Sequence, residues 1–234
     1  MEAIKQRRIQ IILIAGIAVL AAVIVIGSQI LTNSPSSGSP FARYANIPQE
    51  RLPDGGFLLG SADAPVTLVE FADFACPHCQ EYAPEIERFV DEFVASGKAK
   101  LEYRLFISGA DPTYGPYTAR LAECAAEQNP DSFFPAHDVL FQIGRAQGRF
   151  NDQTARTLAD RLDLNYSALL NCADKADQFQ ADGNLGVSLG VQSTPTLMIR
   201  FGDAKPQFIQ VGGQTYDRGG VPYGILKAIV DSVQ

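Results

Sequence analysis

The chain has 234 residues, of which 46% are hydrophobic and 19% are charged, a composition that suits one globular domain with short attachments. After the first 31 residues, 16 Lys and Arg stand against 25 Asp and Glu, which gives a net charge near -9. This acidic balance argues against a nucleic-acid-binding protein and against a basic membrane-surface patch.

The N-terminal segment has the pattern of a membrane anchor. Residues 1–8 carry three bases and one acid, and residues 11–27 then contain no charge. With its apolar flanks the run covers residues 9–31, close to the ~20 residues with which a helix crosses a bilayer. Because basic residues beside a span stay cytoplasmic, we expect a cytoplasmic stub at 1–8 and a single transmembrane helix at 9–31. The alternative is a cleaved signal peptide, although its apolar core is usually about 7 to 15 residues long.

The residues after this segment are typical of a flexible tether, since residues 32–40 are small, polar and proline-bearing. We expect a linker over residues 32–54 that spaces the protein from the bilayer. A folded domain over residues 55–234 then lies on the extracytoplasmic side of the cell membrane.

The first elements of this domain form a strand, helix, strand unit. Residues 65–71 are apolar and β-branched without a helical period, which predicts a buried strand. From residue 77 to about residue 95, apolar residues recur at helical spacing, namely Tyr82, Ile86, Phe89, Val90 and Phe93. Residues 100–107 predict the next strand. The short connections imply a parallel pair of strands with the helix on one face.

The middle of the domain changes to Ala-rich, amphipathic segments without a strand of note, over about residues 112–189. This stretch predicts a helical insertion. Strands resume at residues 196–201 and 207–211, and residues 225–233 predict a closing helix.

The motif Cys76-Pro77-His78-Cys79 lies where the first strand gives way to the helix. Unpaired N–H groups and the helix dipole favour negative charge there, so Cys76 is the sulfur whose thiolate is stabilised and which attacks. Pro77 suits a first helical turn, and His78 adds a positive charge or an N–H beside the sulfur. Cys79, one turn deeper, is the resolving thiol.

Other interpretations of the four cysteines remain open at this point. A structural disulfide between Cys76 and Cys79 would gain little stability from loop-closure entropy, because the loop that it closes is short. A zinc site needs four ligands, and the chain offers two histidines, His78 and His137, and no second Cys-x-x-Cys. The motif spacing is also compatible with chance. Outside the cytoplasm disulfides persist, and four cysteines allow three pairings.

The segment from Val69 to Cys79 resembles the active-site segment of the DsbA-like thiol:disulfide oxidoreductases of the thioredoxin superfamily. Glu70 lies where that superfamily places a buried acid, Pro84 where it kinks the active-site helix, and residues 193–196 (Ser-Thr-Pro-Thr) match its cis-proline loop. The helical insertion is the mark of DsbA-like members. The resemblance covers residues 55–234 and implies an α/β thioredoxin fold with an inserted helical domain.

The resemblance also implies residue roles. Glu70, buried under the site, would exchange a proton with Cys79; the alternative is a surface charge at a strand end. A cis bond before Pro195 would present the backbone of Thr194 to an extended substrate, whereas the alternative is a plain turn proline. His137 is interpreted as an ordinary helix-face residue, since nothing nearby supplies metal ligands.

Cys124 and Cys172 lie in the insertion, where some DsbA-like proteins carry a structural disulfide. Bridging them would close a loop of 49 residues, for which loop-closure entropy gives about 4 kcal/mol. The alternative is two buried free thiols.

The resemblance implies an enzyme that exchanges disulfides through Cys76 and Cys79 and needs no metal or other cofactor. Because the site favours the Cys76 thiolate, we expect an oxidase of exported, cysteine-containing proteins, reoxidised by a membrane partner and working as a monomer. A disulfide isomerase or reductase is the alternative within this class. A tethered binding or chaperone module with structural cysteines is the alternative from another class.

Overall fold

A computed structural model of the protein describes residues 39–233. In this part of the chain, seven strands form a mixed sheet: β1 Gln49–Arg51, β2 Phe57–Leu59, β3 Val66–Ala72, β4 Ala99–Leu105, β5 Thr196–Phe201, β6 Gln207–Val211 and β7 Gln214–Tyr216. Their order in the sheet is β1-β2-β4-β3-β5-β6-β7. The strand that precedes the cysteine motif therefore lies at the centre.

β3 takes the central place because it is mostly apolar, and all seven of its residues are buried. It pairs in parallel with β4, where Glu70 lies opposite Tyr103, and antiparallel with β5, where Glu70 lies opposite Leu197. The one carboxyl group of this strand is thereby placed inside the protein.

The helix α1, Pro77–Phe89, connects β3 with β4, as the sequence predicts. It buries Cys79, Ala83, Ile86 and Phe89 against the sheet, and its chain continues as a π-helical turn, Val90–Val94. Pro84 lies inside the helix and has no N–H to donate to the carbonyl of Gln80. The side chain of Arg145 donates to that carbonyl instead, at 3.4 Å.

The predicted helical insertion is confirmed between β4 and β5. It consists of five helices: α2 Tyr114–Gln128, α3 Phe133–Gln147, α4 Thr154–Leu162, α5 Tyr166–Ala173 and α6 Gln178–Ser188. The small residues of α2 allow close packing, since Ala119, Ala122 and Ala125 are all buried. A last helix, α7 Tyr223–Asp231, follows the sheet.

A buried ion cluster that the sequence patterns did not reveal joins the insertion to the sheet. The guanidinium of Arg104 on β4 contacts Glu102 at 2.6 Å, Asp54 at 2.8 Å and Asp182 of α6 at 3.1 Å. Glu102 also accepts from Arg200 of β5 at 2.6 Å. Because every charge in the cluster has a partner, α6 is held against β4 without an unpaired buried charge.

The folded region begins before residue 55, where the sequence placed the start of the domain. Tyr44 and Ile47, inside the expected linker of residues 32–54, are buried in the core, and Arg43 makes ion pairs with Glu87 and Asp138, each at 3.0 Å. The strand β1 also lies in this stretch. The composition of residues 32–54 did not reveal this structure, because each of these contacts joins distant parts of the chain.

The expected cytoplasmic stub at residues 1–8, the transmembrane anchor at 9–31 and the start of the linker lie outside the described residues. Within residues 39–233, no helix combines the length and the apolarity needed to cross a bilayer.

Candidate active site

The two cysteines of the motif lie at the N-terminus of α1. Cys76 is the capping residue, with an extended backbone (φ -77°, ψ 120°), and Pro77 occupies the first turn. Both thiols are free and buried, with 4% of Cys76 and 1% of Cys79 exposed. The sharp change from strand to helix places Cys76 at the end of the helix, where backbone N–H groups lack helical partners.

A loop that precedes β5 lies against Cys76. The peptide bond between Thr194 and Pro195 is cis, and the carbonyl oxygen of Thr194 is 3.5 Å from the Cys76 sulfur, which donates to it as a thiol. The Thr194 hydroxyl is buried and has no hydrogen-bond partner within residues 39–233. The structure thus brings two distant sequence motifs, 118 residues apart, into contact.

The surroundings of Cys76 lower its pKa from 9.0 to about 5. The largest cause is a hydrogen bond from the Cys79 thiol, and the nearby Thr194 side chain and the backbone N–H groups of Cys79 and His78 lower the pKa further. Burial acts in the opposite direction and is outweighed. At neutral pH the Cys76 sulfur is therefore a thiolate, which is the attacking species in thiol exchange.

Cys79 has the opposite character, because its pKa is raised far above that of an ordinary thiol. Burial is the main cause, and the hydrogen bond to the Cys76 sulfur and the negative charge of that sulfur add to it. The pair therefore holds one proton at neutral pH, on Cys79, and that proton stabilises the Cys76 thiolate.

Glu70 lies within the core on β3, with 1% of its surface exposed. Burial raises the pKa of its carboxyl to about 7, and the charge of His137 opposes this rise. Its Oε2 atom has no hydrogen-bond partner among the described residues. A carboxyl group that titrates near neutral pH can both give and take a proton there.

His78 contributes to the thiolate through its backbone N–H. Its side chain is 79% exposed and lies 3.5 Å from Glu81. The imidazole charge or N–H that the sequence analysis placed beside the sulfur is not among the causes of the low pKa of Cys76, whereas the backbone N–H of His78 is.

Asp73 is a site residue that the sequence interpretation missed. Its carboxylate accepts from the backbone N–H of Ala75 at 2.9 Å, and from the N–H and the hydroxyl of Ser108 at 2.9 and 2.8 Å. These bonds fix the turn that leads from β3 to Cys76. An acidic residue that follows a strand and precedes a turn is the signal that could have identified it.

His137 lies on a helix, where the sequence analysis interpreted it as an ordinary helix-face residue. The structure buries it to 2% exposure on α3, against the rings of Phe74, Tyr103 and Phe141. Within residues 39–233 no group of three or more His, Cys, Asp or Glu side chains is arranged to hold a metal ion.

Cys124 of α2 and Cys172 of α5 are joined by a disulfide, with their Cα atoms 5.7 Å apart. Cys124 is fully buried. The bond links two helices of the insertion and lies on different elements from the Cys76 and Cys79 pair.

Comparisons with known proteins agree with this geometry. The family described as Thioredoxin matches residues 53–203. The disulfide bond formation protein D of Bacillus subtilis is 29% identical over 157 residues, a match that spans 61% of this chain and 66% of that protein.

Among solved structures, DsbA2 of Pseudomonas aeruginosa superposes with a TM-score of 0.59 and 25% identity, over 76% of this chain and 93% of that one. A thioredoxin-like oxidoreductase from Silicibacter pomeroyi shares the fold, with a TM-score of 0.60 at 24% identity over 78% and 93% of the two chains. The chain belongs to the thioredoxin family and is one of its DsbA-like members.

Proposed function

We propose that this protein, a thiol:disulfide oxidoreductase, works as a dithiol oxidase that transfers its Cys76–Cys79 disulfide to pairs of cysteines in exported proteins. The observation that carries the proposal is the difference between the two thiols, since the pKa of Cys76 is lowered to about 5 and that of Cys79 is raised. A stabilised Cys76 thiolate favours the reduced enzyme. The disulfide form is then a strong oxidant.

The reaction has two exchange steps. A substrate thiolate attacks the Cys76 sulfur, a substrate–Cys76 disulfide forms, and the Cys76–Cys79 bond breaks with Cys79 leaving as a thiolate. A second substrate thiolate then attacks the substrate sulfur of this mixed disulfide, and Cys76 leaves as its stabilised thiolate. The substrate loses two electrons and the enzyme gains them.

Glu70 is proposed to move the proton that Cys79 needs. Cys79 leaves as a thiolate in a site where only 1% of it is exposed, and its raised pKa favours rapid protonation. Glu70, with a pKa of about 7, can give that proton during substrate oxidation and take it back when the enzyme is reoxidised.

Thr194 and Pro195 are proposed to contact the substrate. The Thr194 carbonyl lies 3.5 Å from the Cys76 sulfur, so a chain bound to that sulfur must pass beside this loop. An extended substrate segment that pairs with backbone groups there would be held in place for both exchange steps.

The proposed partners follow from the proposed reaction. Each turnover leaves the enzyme reduced, so an oxidant must restore the disulfide, and we propose a membrane-bound partner that exchanges with Cys76. The enzyme is proposed to act as a monomer on the extracytoplasmic side of the membrane. The acidic surface charge supports a protein substrate over a nucleic acid.

We expect the full-length protein to remain in the membrane fraction, because its basic start and the uncharged run at residues 11–27 have the pattern of an uncleaved anchor. Cell fractionation checks this, together with protease treatment of intact cells. Where the cells have an outer membrane, it is permeabilised first. The domain should be digested from outside. A mature N-terminus at Ser28, or digestion only from the cytoplasmic side, contradicts the expectation.

The titration of Cys76 tests the oxidase proposal. We expect thiolate absorbance of the reduced protein to appear with a midpoint near pH 5. Because this folded-state pKa lies below the unfolded value of 9.0, the thiolate stabilises the reduced protein fully above about pH 9, and this contribution disappears as the pH falls through about 5. The reduction potential of the pair, measured against glutathione, should be correspondingly high.

Two variants give this titration its controls. Cys79→Ala removes the largest cause of the low pKa and should move the midpoint upward. His78→Gln keeps the backbone N–H and should move it much less, since the imidazole is exposed. A Cys76 midpoint near that of an ordinary thiol would rule out the oxidase and favour a reductase or isomerase.

A further inference from the structure

His137 of α3 is a buried histidine, and only one of its two ring nitrogens is hydrogen-bonded within residues 39–233. The residue is 2% exposed, and its ring packs edge-on against Tyr103, at 4.9 Å between centroids, and against Phe141, at 4.7 Å. Its Nε2 atom has no hydrogen-bond partner within residues 39–233. A buried polar atom without a partner costs free energy, so this one calls for an explanation.

The other ring nitrogen is held in place. Nδ1 lies 3.0 Å from one carboxylate oxygen of Asp138, and the other oxygen accepts from Arg43 at 3.0 Å. Tyr44 also hydrogen-bonds to Asp138. A carboxylate paired with a guanidinium is ionised and only accepts, so Nδ1 carries a proton. Nε2 is then the ring nitrogen that is left without a partner among the described residues.

The backbone register brings this ring close to Glu70. Glu70 of β3 and Tyr103 of β4 are paired residues, so their side chains lie on the same face of the sheet, and the Tyr103 ring contacts the His137 ring. Glu70 Oε2 and the Tyr103 hydroxyl are likewise buried without a partner among the described residues. Three polar groups from three elements therefore meet in one apolar region beneath the cysteines.

We propose that His137, held by Asp138, is the basic partner of Glu70 and acts through it as a positioning residue for proton transfer at Cys79. The proposal rests on the proposed role of Glu70 and extends the site from the sheet into the helical insertion.

The proton balance shows what His137 contributes. When the enzyme is reoxidised, Cys79 gives its proton to the Glu70 carboxylate, and the Cys79 thiolate attacks the Cys76 sulfur of a mixed disulfide, from which the partner thiolate leaves. The charge on His137 lowers the pKa of Glu70, against the effect of burial. It therefore increases the fraction of Glu70 that is ionised, and so able to accept the proton, near neutral pH.

Other titratable groups interact with Glu70 and His137, and they also affect the pH dependence measured for this pair. Tyr103 interacts with Glu70 and with both cysteines, and Tyr82 of α1 interacts with Glu70. The groups around the Glu70 and His137 pair are Arg43, Tyr44, Asp73, Cys76, Cys79, Tyr82, Tyr103 and Asp138.

The test follows Glu70 directly in the reduced protein, through the carboxyl carbon signal of labelled glutamate. We expect a midpoint near pH 7 in the parent and a rise of about one pH unit in His137→Gln. In parallel, the parent and variant are converted to the mixed disulfide of Cys76 with thionitrobenzoate, whose release requires attack by Cys79. The pH profile of release should move upward with the Glu70 midpoint, with about tenfold slower release below it.

Phe141→Leu is the matched control, because it disturbs packing against the same ring without removing a proton acceptor. Its Glu70 midpoint should equal that of the parent. An unchanged or lower midpoint in His137→Gln, or an equal rise in Phe141→Leu, overturns the proposal.

A second measurement needs no substitution in the cluster. The chain has two histidines, and His78→Gln leaves one, so the nitrogen signals of His137 can be read without ambiguity. A neutral ring with its proton on Nε2 overturns the proposal. Since the Glu70 titration needs no substrate, a failure of the oxidase direction would not be mistaken for a failure of this inference.

Discussion

Cys76→Ser is expected to lose disulfide exchange completely. Cys76 is proposed to be the sulfur that exchanges with the substrate, because its pKa is lowered to about 5 and it lies against the loop at Thr194. A serine hydroxyl has a far higher pKa and cannot form a disulfide, so neither exchange step remains. The measurement is the rate at which the purified variant oxidises a peptide with two cysteines. The wild type, treated beforehand with the same oxidant, is the reference.

Cys79→Ser should behave differently, because the attacking sulfur remains but the resolving sulfur does not. Cys76 can still exchange with a disulfide, and no neighbouring thiol then releases the product. We expect mixed disulfides to accumulate on Cys76, visible by mass spectrometry after incubation with oxidised glutathione. Exchange that survives in Cys76→Ser would contradict the role of Cys76, and a wild type without exchange would favour a tethered binding module with structural cysteines.

The central part of the fold could be predicted from local patterns. β3 is mostly apolar because both of its faces are buried, and the helical spacing of apolar residues appears in α1, which begins at Pro77. The edge strands could not be predicted in this way. β1 and β2 have three residues each, too few for a period, and they exist because β2 pairs with β4 and β1 with β2.

The site was predictable to the extent that its residues lie in motifs. The segment from Glu70 to Cys79 and the Thr194-Pro195 pair were identified because their spacing matches a known family. His137 could not be assigned in this way, since it lies in the insertion and reaches the site through the contact of its ring with Tyr103 of β4. The sequence around it predicted an ordinary helix-face residue and no more.

Removal of the Cys124–Cys172 disulfide should lower the free energy of unfolding by about 4 kcal/mol. The bond joins residues 48 positions apart, and loop closure of that length removes much of the entropy of the unfolded chain. For a domain of this size, the melting temperature should fall by about 8 to 16 °C. Urea unfolding of the oxidised wild type and of a Cys124→Ala, Cys172→Ala double variant measures the difference.

The single variant Cys124→Ala supplies the control, because the loss of one cysteine already opens the loop. It should lose nearly as much stability as the double variant, and in both the unfolding slope should rise as the unfolded chain expands. Exchange through Cys76 should continue in both, since the bridge lies on α2 and α5 and the active pair on α1. Free thiols at both positions in the oxidised wild type, or equal stability of all three proteins, would show that the bridge does not constrain this fold.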